Sequence, residues 1–373
     1  MTNRRDVPAD GRRPGFEQIP IEETLPFEPA APPLADLFAA EPARRHVARL
    51  HWLKHPVQGG LNLAFHAVLR HLPVTFVSAV GASLAPVSRR WHRNRVFAAR
   101  IRSNLEALAA HGRRHGLALP EDAPDPLLDP DNGLHRRWWR NMGRSVAEFS
   151  VLNRLARPPH LTVSGAEHLE AAQATGRPLV FVSVHLGTWE AVIAATHTGP
   201  AGPTVGPFQP EPNRFTNRVI YRLRKARGQY LFPPGQKSAF RLHRLLTGRA
   251  ANLIIFIDEV RDAQVHFPAF GRPTTPGGNA LVAVKLANAA EALIVPVHCL
   301  RREGARLMLT LHPALPRPAS GAYDPAATIA TLNGIFEPLI LRHLAQWYML
   351  ADLRYPKFRQ GEAPERKQTA SID

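Results

Sequence analysis

The 373-residue chain holds a single cysteine, Cys299. One thiol excludes an internal disulfide framework and a multi-thiolate zinc site, and it fits a reducing compartment. Within ALIVPVHCL it reads as a buried strand residue. A phosphate-cradling glycine loop and a dinucleotide fingerprint are also missing. His197, His243 and His298 lack the mutual spacing of a metal site, so neither metal nor cofactor is expected. There is no internal repeat, and the start of the chain lacks the charged-then-apolar plan of a cleavable signal peptide. Acidic residues are few beside basic ones, 30 against 47, for a formal charge of +17. Much of that charge is arginine, whose planar fork suits phosphates and carboxylates, so partners should be anionic. Nucleic acid, an anionic membrane surface and an acidic protein all meet that description, and the positions of the charges must decide.

Long uninterrupted hydrophobic runs are equally scarce. The nearest is Leu61 to Val87, LNLAFHAVLRHLPVTFVSAVGASLAPV, which His66, Arg70, His71 and Pro73 interrupt. Its uninterrupted part falls short of the about 20 residues needed to span a bilayer. Two readings stay open: a helix lying in the membrane interface, with the basic SRRWHRNRVFAARIR resting on headgroups, or an ordinary helical hairpin packed on the core. Residues 1–45, rich in Pro, Glu, Asp and Arg, read as a disordered tail. Residues 46–157 read as a helical, membrane-proximal region, 158–358 as an α/β domain and 359–373 as a flexible tail.

From Leu161 short β-branched runs alternate with amphipathic helices. LTVSG, AEHLEAAQATG and PLVFVSV come first, and KSAFRLHRLLTGR, ANLIIFIDE, GGNALVAVKLANAA, ALIVPVHCL and ARLMLTLHP follow. That alternation predicts an α/β fold with a mostly parallel central sheet flanked by helices.

The segment VFVSVHLGTWEAVIAA places His185 and Glu190 inside an otherwise apolar run. Buried polar groups cost free energy unless partnered, so the pair calls for a role. His185 falls at the C-terminal end of a predicted strand, where open α/β sheets form their ligand crevice. On a continuous helix Glu190 would point about 140° away from it. A turn at Gly187 lets the two meet, with Glu190 in the first helical turn, where the helix dipole favours a carboxylate. Glu190 would then fix the imidazole tautomer and leave the other nitrogen as a general base for an alcohol attacking an acyl carbonyl. By spacing alone a hydrogen-bonded structural histidine is the commoner outcome.

HLGTWE closely resembles the H-x-G-x-W-E block of the late acyltransferases of lipid A biosynthesis, within the wider lysophospholipid acyltransferase superfamily. The likeness runs from about Leu61 to Tyr355. It takes in WRNMGRSVAEF, VSGAEHLEAAQATGRPLVFVSV, RKARGQYL, the strand ending at Asp258, FPAFGRPTTPGGNALVAVKLA and WYMLADLRY, in the family's order. The resemblance implies His185 as base, Glu190 as its partner, and Arg227 and Asp258 as further functional positions. Read by themselves, Arg227 is equally a solvated charge and Asp258 a helix or turn cap.

Arg214, Arg218 and Arg222 recur every fourth residue and project from one helical face. That face suits an acceptor's phosphates or an acidic acyl carrier protein, and a plain solvated surface is the alternative. Phe267 and Phe270 lie in a Pro/Gly-rich loop that the resemblance sets beside the active site, either lining an acyl channel or anchoring the core.

The expected function is O-acyl transfer from an acyl thioester, on acyl carrier protein, to a hydroxyl of a lipid A precursor or related glycolipid. The expected place is the cytoplasmic face of a bacterial inner membrane, at its anionic surface, with no nucleic acid partner. A lysophospholipid or aminolipid acceptor, and a non-catalytic basic membrane-binding protein, are the rival readings.

Overall fold

Val180, Phe181 and Val182 are completely shielded from solvent. Val180 and Val182 face one hydrophobic cluster, while Leu179 and Phe181 face a second on the opposite side of the sheet. A strand buried on both faces has no polar alternation to display, which is why PLVFV is uniformly apolar. The computed structural model describes residues 30–117 and 133–355, apart from positions 231, 275 and 320. The expected tails therefore lie outside the described residues up to 29 and from 356.

Helices occupy the N-terminal part. A 3-10 turn at Leu34–Phe38 already falls within the expected tail. Next, α1 (Pro42–Arg49) runs through a π-helical turn at Leu50–Lys54 into α2 (His55–Leu69). Pro73 disfavours helix at the residue before it, and α3 (Val74–His92) starts directly after it. The Leu61–Val87 stretch is therefore two helices broken at Pro73. Then come α4 (Val96–Arg114), α5 (Gly133–Glu148) and the short α6 (Leu152–Leu155). Helices α3 and α5 cross at Gly81 and Gly143, where a Cβ on Gly81 would lie 2.3 Å from the Gly143 carbonyl oxygen. Only glycine permits that approach.

The α/β part follows in the order β1 (Leu161–Ser164), α7 (Ala166–Ala174), β2 (Leu179–Ser183), α8 (Trp189–Thr198), β3 (Thr204–Val205), α9 (Arg214–Lys225), α10 (Gln236–Thr247) and β4 (Asn252–Phe256). A small hairpin, β5 (Val260–Arg261) and β6 (Gln264–Val265), precedes α11 (Gly278–Ala289), β7 (Leu293–Arg301), β8 (Leu307–Leu311) and α12 (Pro325–Arg342). Six strands form one sheet in the order β1-β8-β7-β2-β4-β3. All neighbours in it are parallel except β7 and β8, which the short Arg302–Arg306 connection joins antiparallel. The fold is thus α/β with a mostly parallel central sheet flanked by helices. Among the described residues no helix is long and apolar enough to cross a membrane.

Candidate active site

Parallel pairing between β2 and β4 fixes which residues meet at the end of the sheet. Ser183 lies opposite Phe256, so two residues further along both strands bring His185 beside Asp258. The imidazole Nδ1 sits 2.7 Å from Asp258 Oδ1, and the His185 backbone N–H donates to Oδ2 at 2.8 Å. The Trp347 indole Nε1–H donates to the same Oδ2 at 2.9 Å. Asp258 is wholly buried, whereas the His185 side chain keeps 23% exposure. Two N–H donors already converge on Asp258, and a carboxylate only accepts, so the contact holds the Nδ1–H tautomer, which leaves a lone pair on Nε2.

The expected contact between His185 and Glu190 does not form. Gly187 supplies the turn, with φ +62°, and a Cβ there would lie 2.4 Å from the Cys299 carbonyl oxygen. Glu190 does stand in the first turn of α8, yet its carboxylate turns to Arg224, with Nη2 and Oε1 2.6 Å apart. Those side chains are only 14% and 10% exposed. A buried carboxylate seeks the strongest available donor, and a guanidinium outcompetes an imidazole N–H. The half of the site read as His185–Glu190 is corrected to His185–Asp258 and Glu190–Arg224.

Arg227 joins the second cluster. Its guanidinium donates to Gln229 Oε1 and to Asn153 Oδ1. Burial lowers its pKa to about 10, with Glu190 opposing and Arg224 reinforcing the shift, so it stays protonated at neutral pH. Arg222 lies on α9, and its charge is felt by His66 of α2. Arg218 is exposed one turn earlier, while Arg214 donates to the His51 carbonyl at 3.0 Å and so helps seam α9 to the N-terminal helices. Phe270 is buried behind the dyad, its ring 5.4 Å from that of Trp347, and its φ of +49° marks a tight turn in the Pro/Gly-rich loop.

The histidine loop is held from three sides. The Tyr348 N–H donates to the His185 carbonyl and the Gly187 N–H to the Gln346 carbonyl, so residues 346–348 run as a strap along it. Beneath it, Arg301 grips Glu148 bidentately, and the Thr188 hydroxyl donates to Glu148 Oε2 at 3.0 Å. Aromatic rings surround the imidazole: Phe256 at 4.6 Å, Trp189 at 5.7 Å and Tyr348 at 6.3 Å between centroids. Trp347, Glu148, Arg301 and Arg224 were not singled out as site residues in the sequence. Glu148 lies inside WRNMGRSVAEF, Arg224 inside RKARGQYL and Trp347 inside WYMLADLRY, so of the four only Arg301 carried no sequence signal. Among the described residues no three His, Cys, Asp or Glu side chains gather where they would hold a metal ion.

An imidazole held in one tautomer at the end of a sheet is able to act as a general base. The chain is 29% identical over 277 residues to the phosphatidylinositol mannoside acyltransferase of Mycobacterium tuberculosis, in both strain CDC 1551 / Oshkosh and strain ATCC 25618 / H37Rv. The match covers 67% of this chain and 81% of the mycobacterial protein. A family profile, that of the bacterial lipid A biosynthesis acyltransferases, matches residues 49–354 and so takes in the dyad, the Glu190–Arg224 pair and the strap. By that match the chain belongs to the bacterial lipid A biosynthesis acyltransferase family and is an acyltransferase.

Proposed function

We propose that the protein transfers a fatty acyl chain from a thioester to a sugar hydroxyl of a membrane glycolipid, with His185 as general base. The observation that carries this reading is the 2.7 Å contact between His185 Nδ1 and the buried Asp258. Nε2 takes the proton of the acceptor hydroxyl as its oxygen attacks the thioester carbonyl. Asp258 steadies the imidazolium that forms. The tetrahedral intermediate collapses, the C–S bond breaks, and the departing thiolate receives the proton back from Nε2. No nucleophilic serine or cysteine is used, and Cys299, buried with its thiol pushed up to about 12, is unsuited to the task.

The family name points to a lipid A precursor as acceptor, and the mycobacterial relative's name to a phosphatidylinositol mannoside. Both present sugar hydroxyls on a phosphorylated lipid, which is the chemistry proposed here, with acyl carrier protein as the donor's carrier. Attachment to an anionic membrane surface is part of the proposal. Val57, Leu61 and Val68 on α2, and Phe76, Val87 and Trp91 on α3, leave apolar side chains exposed, and Arg89, Arg90, Arg93 and Arg95 lie beside them in the chain. Apolar insertion combined with headgroup charge gives interfacial binding without a span.

The test is to incubate purified protein with an acyl thioester and a panel of glycolipid, lysophospholipid and aminolipid acceptors, and to read the products by mass spectrometry. Acylated glycolipid is expected, and turnover confined to the other acceptors would overturn the assignment.

A further inference from the structure

Beyond the strap, on the side away from β4, lies a cavity of about 430 Å³ bounded by α5, the end of β7 and the end of α12. Six arginines line it, Arg137, Arg140, Arg144, Arg301, Arg302 and Arg342, and among the described residues no carboxylate does. Arg137, Arg140 and Arg144 follow the i, i+3, i+7 spacing that puts side chains on one helix face. Arg301 is matched by the buried Glu148 behind it. Arg144 donates to the Ser78 hydroxyl at 2.7 Å, and the exposed Arg140, Arg302 and Arg342 bring guanidinium charge into the concavity. The gathered charge already bears on the pocket's own groups: burial and then Arg301 push Arg144 below its ordinary value, and burial with Arg302 and Arg342 lowers His343.

Like charges gathered in one concavity repel one another, and an anion that fills the space between them relieves that repulsion. Guanidinium forks match phosphate oxygens, and one phosphate monoester carries about −1.5 to −2. The three exposed forks of Arg140, Arg302 and Arg342 already carry more charge than one such group balances, so they suit a ligand with at least two phosphate groups. The pocket is tied to the histidine loop through the strap. Gln346, on its wall, bonds to the Arg301 backbone through its side chain and accepts the Gly187 N–H through its carbonyl oxygen, two residues from His185.

We infer that this arginine pocket is a subsite for a ligand bearing two or more phosphate groups, which it anchors beside His185. Its role in substrate recognition rests on the acyl-transfer reading above, but phosphate binding can be measured without turnover. The phosphates come either from a soluble nucleotide-linked thioester such as coenzyme A or from a phosphorylated lipid headgroup.

Titrating the full chain calorimetrically with inorganic pyrophosphate tests the site. Saturable binding is expected, unchanged in His185→Ala and weakened at least tenfold in Arg140→Gln combined with Arg342→Gln, whose exposure makes misfolding of little concern. The charge-matched pair Arg157→Gln with Arg249→Gln, exposed and outside the pocket lining, should bind within twofold of the native chain. Equal affinity in both double variants, or no saturable binding, would overturn the site. Displacement of pyrophosphate by coenzyme A identifies the soluble source. Displacement by phosphatidylcholine vesicles carrying a bisphosphorylated lipid, but not by plain ones, identifies the headgroup. Displacement by neither would remove the pocket from substrate recognition. Native-like turnover in His185→Ala with pyrophosphate binding intact would sink the acyl-transfer reading alone, and native-like pyrophosphate affinity in the arginine double variant, with turnover still lost in His185→Ala, would sink the arginine site alone.

Discussion

Two carboxylates stand near His185, and they differ in how the chain brings them there. Glu190 is five residues away and binds Arg224, while Asp258 is 73 positions away and binds the imidazole. Proximity in the chain placed Glu190 on the helix that leads away from the histidine. Sheet register placed Asp258 alongside it. In a parallel sheet the residues just past one strand meet those just past its neighbour, so the partner of a strand-end residue is found by pairing strands rather than by counting along the sequence. The two pairs also differ in accessibility. Asp258 is sealed and its histidine half-open, as reaction with a substrate requires, whereas Glu190 and Arg224 are both nearly enclosed and suit a scaffold.

That contrast gives the largest predicted effect to the histidine. Removing the base with His185→Ala should lower turnover by about two to four powers of ten, the usual worth of a positioned general base, with thermal unfolding little changed. Melting curves beside initial rates check it, and near-native rates in a folded variant would break the distinction between base and scaffold. Glu190→Ala should instead strip Arg224 of its partner inside the protein, which costs about 3–5 kcal/mol when such a pair is fully buried and less here in proportion to its exposure. Chemical denaturation checks that loss, and its absence would return Glu190 to a role in the reaction. A smaller effect is expected at Trp347→Phe, which removes one donor from Asp258 while keeping most of the packing. A hydrogen bond to a charged group is worth about 1.5–3 kcal/mol, so the variant should lose stability of that order and turnover about tenfold.

Acid should act on the scaffold before any of these. Burial lowers His135 to about 4 and His298 to about 3, both beneath the ordinary value. Between about pH 6.5, the ordinary histidine value, and those lowered ones the unfolded chain binds more protons than the folded one, so stability falls as the pH is lowered through that window. The melting temperature should be flat above about pH 7 and decline below about 6.5, with a shallower decline in His298→Asn. Comparisons of the two carboxylates are therefore cleanest at neutral pH and above.

Much of the fold was legible in the sequence because its signals are local. The apolar runs ending at Ser183 and Phe256, the amphipathic helices between them and the turn at Gly187 each declare themselves within about ten residues. Asp258 was visible as a strand-end carboxylate in the right crevice, and Glu190 as a carboxylate in the first turn of a helix. Their partners were not legible, because the choice between two carboxylates depends on the β2–β4 register and on Arg224, which looked like one more charge on a basic helix. Phe270 illustrates the same limit. Its loop was evident from the glycines and prolines, but its place behind Trp347 arises from a contact across the fold. The antiparallel turn of β8 onto β7 and the grip of Arg301 on Glu148, 153 positions apart, are likewise set by tertiary packing.

The most direct test of the account compares Asp258→Asn with Glu190→Gln, both isosteric and both assayed at neutral pH or above for single-turnover acyl transfer and for thermal unfolding. The asparagine amide would keep the shape but lose the charge that steadies the imidazolium, so Asp258→Asn should lower the rate of transfer by at least about a hundredfold while the protein stays folded. Glu190→Gln should lower the melting temperature and leave the rate per folded molecule within about tenfold of native, since it weakens a scaffold pair and leaves the base in place. The opposite pattern, a near-native rate in Asp258→Asn and a collapse of the chemical step in a fully folded Glu190→Gln, would contradict the assignment of Asp258 as the partner of His185.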